Sequence, residues 1–178
     1  MDQPKRPLNV SLKDIAEAMD NSSAEARYYL DLETGQIILI TEDDYEYLRE
    51  AQQDHKDPAG KIDWAAAQTE LDLDDEQVET LQVAEVVDRG ETPRYRAITS
   101  RTPRAGYNDM TDFIAALNNP RLQVRLDNAI KGRGAFRAFK EALAAFPKER
   151  QQWFQFRDQR TLQRAREWLE AENIEPVE

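Results

Sequence analysis

The stretch RYYLDLETGQIILIT, residues 27–41, carries two β-rich runs, Arg27–Leu32 and Gln36–Thr41, on either side of Glu33-Thr34-Gly35. So short a Gly-containing connection leaves no room for a helical crossover, so the runs pair antiparallel as a hairpin turning at Thr34-Gly35. Tyr28, Leu30 and Leu32 alternate in the first run, whereas Ile37-Ile38-Leu39-Ile40 is apolar on both faces, which predicts that the second strand is the more buried. Two strands alone are marginal in water. A third β-rich run, Tyr95–Thr99, follows the turn Arg89-Gly90-Glu91-Thr92-Pro93 and completes a minimal antiparallel sheet.

Helices surround these runs. Ser11, with Asp14 three residues on, caps a helix whose inner face is Leu12, Ile15 and Met19, and Asn21-Ser22-Ser23 ends it. Thr41 with Asp44, and Asp74 with Gln77, repeat the capping pattern ahead of Leu48 and of Val78 and Leu81. Between them a polar stretch from Ala51 to Ile62 is broken by Pro58 and Gly60, and a helix resumes from Asp63. Beyond Tyr107 everything reads as helix. Met110, Phe113, Ile114 and Leu117 share one stripe; Asn119-Pro120 starts the next helix, which Gly132 is placed to end. Phe136, Phe139, Leu143 and Phe146 form a third stripe stopped at Pro147, and Leu162, Ala165 and Leu169 a fourth. The fold class is α+β: a small antiparallel sheet with packed helices and a C-terminal helical bundle. Residues 1–10 are expected as a flexible arm, 11–100 as an acidic α/β portion, 101–173 as a basic helical portion of the same domain or a subdomain, and 174–178 as an acidic tail.

The 178 residues suffice for a real core, and no apolar run approaches the roughly 20 residues that a membrane-crossing helix needs. The start, MDQPKRPLNVSLKD, lacks the apolar stretch of a secretory signal. There is no cysteine, which excludes disulfides and thiol chemistry and points to a cytoplasmic location. The lone histidine, His55, lies in the polar segment QQDHKDP (residues 52–58) and is expected in solvent. No cofactor or metal site is implied: the acidic clusters Glu42-Asp43-Asp44 and Asp72-Leu73-Asp74-Asp75-Glu76 lack the spacing of a calcium loop and suit helix N-termini.

Charge is unevenly placed. The net charge is −11, yet residues 1–90 hold 8 Lys/Arg against 23 Asp/Glu, while residues 101–166 hold 14 against 6. Such asymmetry suits either an anionic partner for the basic part or docking of one half on the other. Within the basic part, KGRGAFRAFK (residues 131–140) sets two glycines around an arginine ahead of a helix start. Glycines let backbone N–H groups approach an anion, and a helix start adds partial positive charge, so Lys131, Gly132, Arg133, Gly134 and Arg137 form a candidate anion-binding corner. The alternative is a tight helical corner with solvating cations. Downstream, WFQFRDQR (residues 153–160) interleaves aromatics and arginines; Trp153, Phe154 and Phe156 read as core. Arg157, Arg160 and Arg164 share a helical side, and Arg157 and Arg160 join the corner if the helices fold back beside it.

The segment GRGAFRAFK, followed by Trp153-Phe154-x-Phe156 and Glu167-Trp168-Leu169, resembles a bacterial uncharacterised protein family of the UPF type, as does the early Tyr29–Gly35 segment. The resemblance spans roughly residues 27–173 and departs chiefly at Asp57–Asp75. It implies one shared fold and a bacterial origin, and no activity or catalytic residue. Taken with the charge pattern, the expected function is a non-catalytic binding or regulatory protein recognising an anionic partner, either nucleic acid or a phosphorylated ligand. A protein–protein adaptor meeting an acidic protein partner is the alternative, and an enzyme on phosphate esters ranks third.

Overall fold

A computed structural model describes residues 5–90 and 93–177; the first four residues of the expected arm, Glu91 and Thr92 of the expected turn, and Glu178 lie outside the described residues. The architecture is α+β, with eight helices and a three-stranded antiparallel sheet among the described residues. The chain divides into two units, residues 1–100 with 169–178 (unit 1) and residues 101–168 (unit 2).

In unit 1 the chain runs β1 (Arg6–Leu8), α1 (Leu12–Asn21), β2 (Ala26–Asp31), β3 (Ile37–Thr41), α2 (Glu42–Asp54), α3 (Trp64–Glu70), α4 (Asp75–Asp88) and β4 (Tyr95–Ala97). The hairpin forms as expected, Tyr28 facing Leu39 and Leu30 facing Ile37. The burial expectation is reversed. Sheet order is β3-β2-β4, so the first strand of the hairpin is central and the apolar second strand is an edge, with Leu39 39% exposed. Alternation identifies faces but not neighbours, and it was the pairing of β4 with β2 that decided the order. At the turn, Gly35 has φ +80°, and a Cβ there would lie 2.0 Å from the Asn9 carbonyl oxygen, so only glycine fits.

Asp31 ties the turn to β4. Its carboxylate accepts from Arg94 Nε and Nη2 at 2.9 and 2.7 Å, from the Glu33 amide at 2.9 Å and from the Thr34 hydroxyl at 3.0 Å. Burial pushes the carboxyl upward, but Arg94 and the two turn donors outweigh it and hold Asp31 down at about 2. A carboxyl lowered on folding contributes stability above its unfolded value, near 3.9, and loses it as pH falls toward 2. Chemical denaturation at pH 7, 4 and 2 should show wild type losing about 2–3 kcal/mol more over that window than Asp31→Asn. Parallel pH profiles would remove Asp31 from the acid response.

The core on one sheet face joins Tyr29 and Ile40 to Leu48 of α2 and Val78, Leu81 and Ala84 of α4. Both expected capping boxes are present, Thr41 with Asp44 and Asp74 with Gln77, so these members of the acidic clusters cap helices. Two expectations fail here. Residues 6–8 do not hang loose but pair in parallel with β5 (Ile174–Pro176), Arg6 facing Ile174, and Leu8 and Val10 are buried. The same pairing takes most of the expected acidic tail into a strand. His55 is not in solvent but 7% exposed, 3.8 Å from the Glu70 carboxylate, because the polar loop folds back through the Lys56–Ile62 bridge.

Unit 2 holds α5 (Pro103–Ala116), α6 (Pro120–Ala129), α7 (Ala135–Leu143) and most of α8 (Pro147–Ala171). Thr102 and Asn119 cap α5 and α6, each followed by proline at the first helical position. Pro147 likewise opens α8. Phe113, Phe139 and Trp153 meet edge to face at 4.8–6.3 Å in a core completed by Met110, Leu122, Leu126 and Leu143. Phe113, Leu126, Phe139 and Leu169 are buried as expected; Phe136 and Phe154 are not, at 41% and 39% exposed. On α8, Trp153 and Phe156 take the inward face, and Phe154, one residue from Trp153, is carried about 100° around the helix.

Candidate functional site

Hydrophobic periodicity places residue 109 on the inward side of α5, beside Met110 and Phe113, and that residue is an aspartate 1% exposed. A carboxylate so buried requires cations. Arg164 Nη2 donates to Asp109 Oδ1 at 2.5 Å, Arg160 Nε lies 3.4 Å from the same oxygen, and Arg101 Nη1 stands 3.9 Å from Oδ2. Arg160 also bonds Asp112, one turn along α5, and its guanidinium lies 5.3 Å from the centre of the Phe156 ring. Arg160 and Arg164 are one turn apart on α8, as Asp109 and Asp112 nearly are on α5, so two helix faces meet charge to charge. Three guanidinium groups thus converge on Asp109, and Arg160 is shared with Asp112. Arg160 Nε and Arg164 Nη1 are buried without a hydrogen-bond partner among the described residues.

Gly106 connects this cluster to α7. A Cβ on Gly106 would sit 3.0 Å from Phe136 Cε1 and 3.3 Å from Arg101 Nη1, so ring and guanidinium both rest against bare backbone. Phe136 follows Gly134 by two residues, which puts the start of α7 beside Arg101.

The sequence-predicted corner is distributed differently from expectation. Gly134, with φ +74°, occupies the cap position of α7, while α6 already ends at Ile130 without help from Gly132. Lys131 pairs with Asp127 at 2.6 Å and Arg137 with Glu141 at 2.7 Å, each within its own helical stretch. Arg133 has neither ion pair nor hydrogen bond among the described residues. Arg157 pairs with Asp158 at 2.8 Å and, with Arg150, flanks the Phe154 ring at 5.6 and 5.5 Å. Arg160 is committed to Asp109 and Asp112. Arg101 and Asp109 were missed by sequence reasoning. The available signal was an acidic residue one turn ahead of Phe113, on the apolar side of the helix, with arginines spaced by four on a later helix.

The model of an uncharacterised protein family, UPF0158, matches residues 59–178. The match includes the Asp57–Asp75 region from residue 59 onward. The chain is also similar to the UPF0158 protein PA5073 of Pseudomonas aeruginosa, 26% identical over 172 residues that cover 97% of this chain and 88% of that protein. No solved structure matches. Among the described residues no helix is long and apolar enough to cross a membrane.

Proposed function

The chain belongs to the uncharacterised protein family UPF0158, and we propose that it is a non-catalytic binding or regulatory module whose unit 2 recognises a phosphate-bearing partner at a local site. The observation that supports this reading most is the gathering of Arg101, Arg160 and Arg164 on buried Asp109, which fixes three guanidinium groups in one place, Arg101 beside Phe136 at Gly106. Arginines ordered before binding lose less side-chain entropy when an anion arrives. Arg133 supplies a cation with no ion pair among the described residues, and Arg137 stands in the first turn of α7. The net charge of −11 opposes non-specific wrapping by a nucleic-acid polymer, which favours a local phosphate contact over an extended track.

The test is titration with inorganic phosphate, nucleotides and short RNA at low and physiological salt. Both Arg133 and Arg137 are exposed, so the double variant Arg133→Gln/Arg137→Gln should keep its melting temperature within a few degrees. Its affinity should fall about tenfold or more, since hydrogen bonds to charged groups contribute about 1.5–3 kcal/mol. Binding unchanged in the double variant, or absent for every ligand, ends this reading. The adaptor reading then leads, favoured by Phe136 and Phe154 standing exposed among arginines. It expects co-purification with one acidic protein at fixed stoichiometry.

A further inference from the structure

The sheet of unit 1 has two edges of different character. The β4 edge is three residues long and carries Arg96, paired with Glu172 at 2.8 Å. Short length and charge are ordinary ways of discouraging strand addition. The β3 edge, Ile37-Ile38-Leu39-Ile40-Thr41, has no lysine, proline or charge of its own. Its ladder with β2 is bracketed by the Asp31 amide donating to the Gln36 carbonyl and the Glu42 amide donating to the Glu25 carbonyl. In an antiparallel ladder paired residues alternate, so Ile38 and Ile40 bond β2 while Ile37 and Leu39 direct both N–H and C=O away from it. Thr41 also points outward, but its amide is already taken by Asp44 Oδ2 at 2.7 Å.

A groove of about 1060 Å³ runs along this edge, with one flank of α4 as its far wall. Ile38, Val83 and Val86 give it apolar lining. Its charged lining is one-sided: Asp44, Asp74, Glu76 and Glu79 stand against Arg94, which is itself engaged by Asp31. Glu76 and Glu79 have no ion pair among the described residues.

We infer that the β3–α4 groove receives an extended, lysine- or arginine-containing segment of another protein as a fourth strand on β3. Backbone bonds to Ile37 and Leu39 supply the pairing, alternate side chains enter the apolar lining, and the intervening cations meet the carboxylates of α4. The five residues of β3 accommodate a segment roughly 17 Å long, about five residues of partner. A second copy of this chain is disfavoured as occupant, because it would bring an equally acidic wall against the first.

The experiment uses the full chain and two fluorescein-labelled octapeptides, alternating Val-Lys and alternating Val-Glu. The Val-Lys peptide should bind, weaken with added salt and bind at least tenfold more tightly than Val-Glu. Glu76→Gln/Glu79→Gln, which alters only exposed side chains, should weaken Val-Lys at least fivefold. Amide exchange separates strand addition from loose electrostatic attachment: the Ile37 and Leu39 amides should slow tenfold or more on binding, while Ile38 and Ile40 change little. Equal affinity for both peptides, binding without protection of Ile37 and Leu39, or no binding at millimolar peptide each overturns the inference. Concentration-dependent protection of those amides without any peptide assigns the edge to a second copy and overturns it as well.

Discussion

Phe139→Ala should lower the stability of the chain by about 3–5 kcal/mol, the range for truncating a buried phenylalanine. Phe139 is 1% exposed, and its ring lies 4.8 Å from Trp153 and 6.3 Å from Phe113, both edge to face. Truncation removes a large apolar surface and two aromatic contacts and leaves a void that neighbours from three helices cannot all close at once. Phe139→Leu keeps much of the volume and should cost about half as much. Guanidinium denaturation followed by near-ultraviolet circular dichroism, which reads the packed rings, is the measurement. A midpoint within error of wild type for Phe139→Ala would mean that unit 2 repacks without this ring.

Asp109→Ala should be of similar size, about 3–5 kcal/mol, for a different reason. The loss is not chiefly that of a favourable bond. Removing the carboxylate leaves Arg101, Arg160 and Arg164 close together without the charge they share, and strands the buried nitrogens of Arg160 and Arg164. Replacing both members of a buried pair by apolar side chains costs much less than breaking it. Asp109→Leu combined with Arg164→Met should therefore recover at least half of the stability lost by Asp109→Leu alone, a coupling that a double-mutant cycle reads directly. Simple additivity would show that Asp109 acts independently of Arg164.

The α+β class, the hairpin and its turn, and the capping residues Ser11, Thr41, Asp74 and Asn119 were legible because they depend on residues within four positions of one another. What escaped depends on distant partners. β1 is unreadable in a short proline-bounded segment, since its pairing partner lies at Ile174–Pro176. Burial of His55 depends on the chain folding back between Lys56 and Ile62. At the candidate site, Lys131, Arg133 and Arg137 were visible as a run, whereas Asp109 stands just ahead of the Met110–Leu117 stripe with nothing local to mark it as a site residue. Its role emerges only when α8 brings Arg160 and Arg164 to it.

The parallel pairing of β1 with β5 has a consequence for manufacture of the protein. Leu8 is synthesised well over a hundred residues ahead of its strand partner, which faces it at Pro176. At synthesis rates of roughly 5–20 residues per second, β1 waits on the order of 10–30 s for a neighbour. All of residues 101–168 are translated within that interval, so the helices of unit 2 can assemble while unit 1 still lacks a strand. Closure of β1 on β5 therefore cannot precede synthesis of Ile174–Pro176, however much of the intervening chain has already folded.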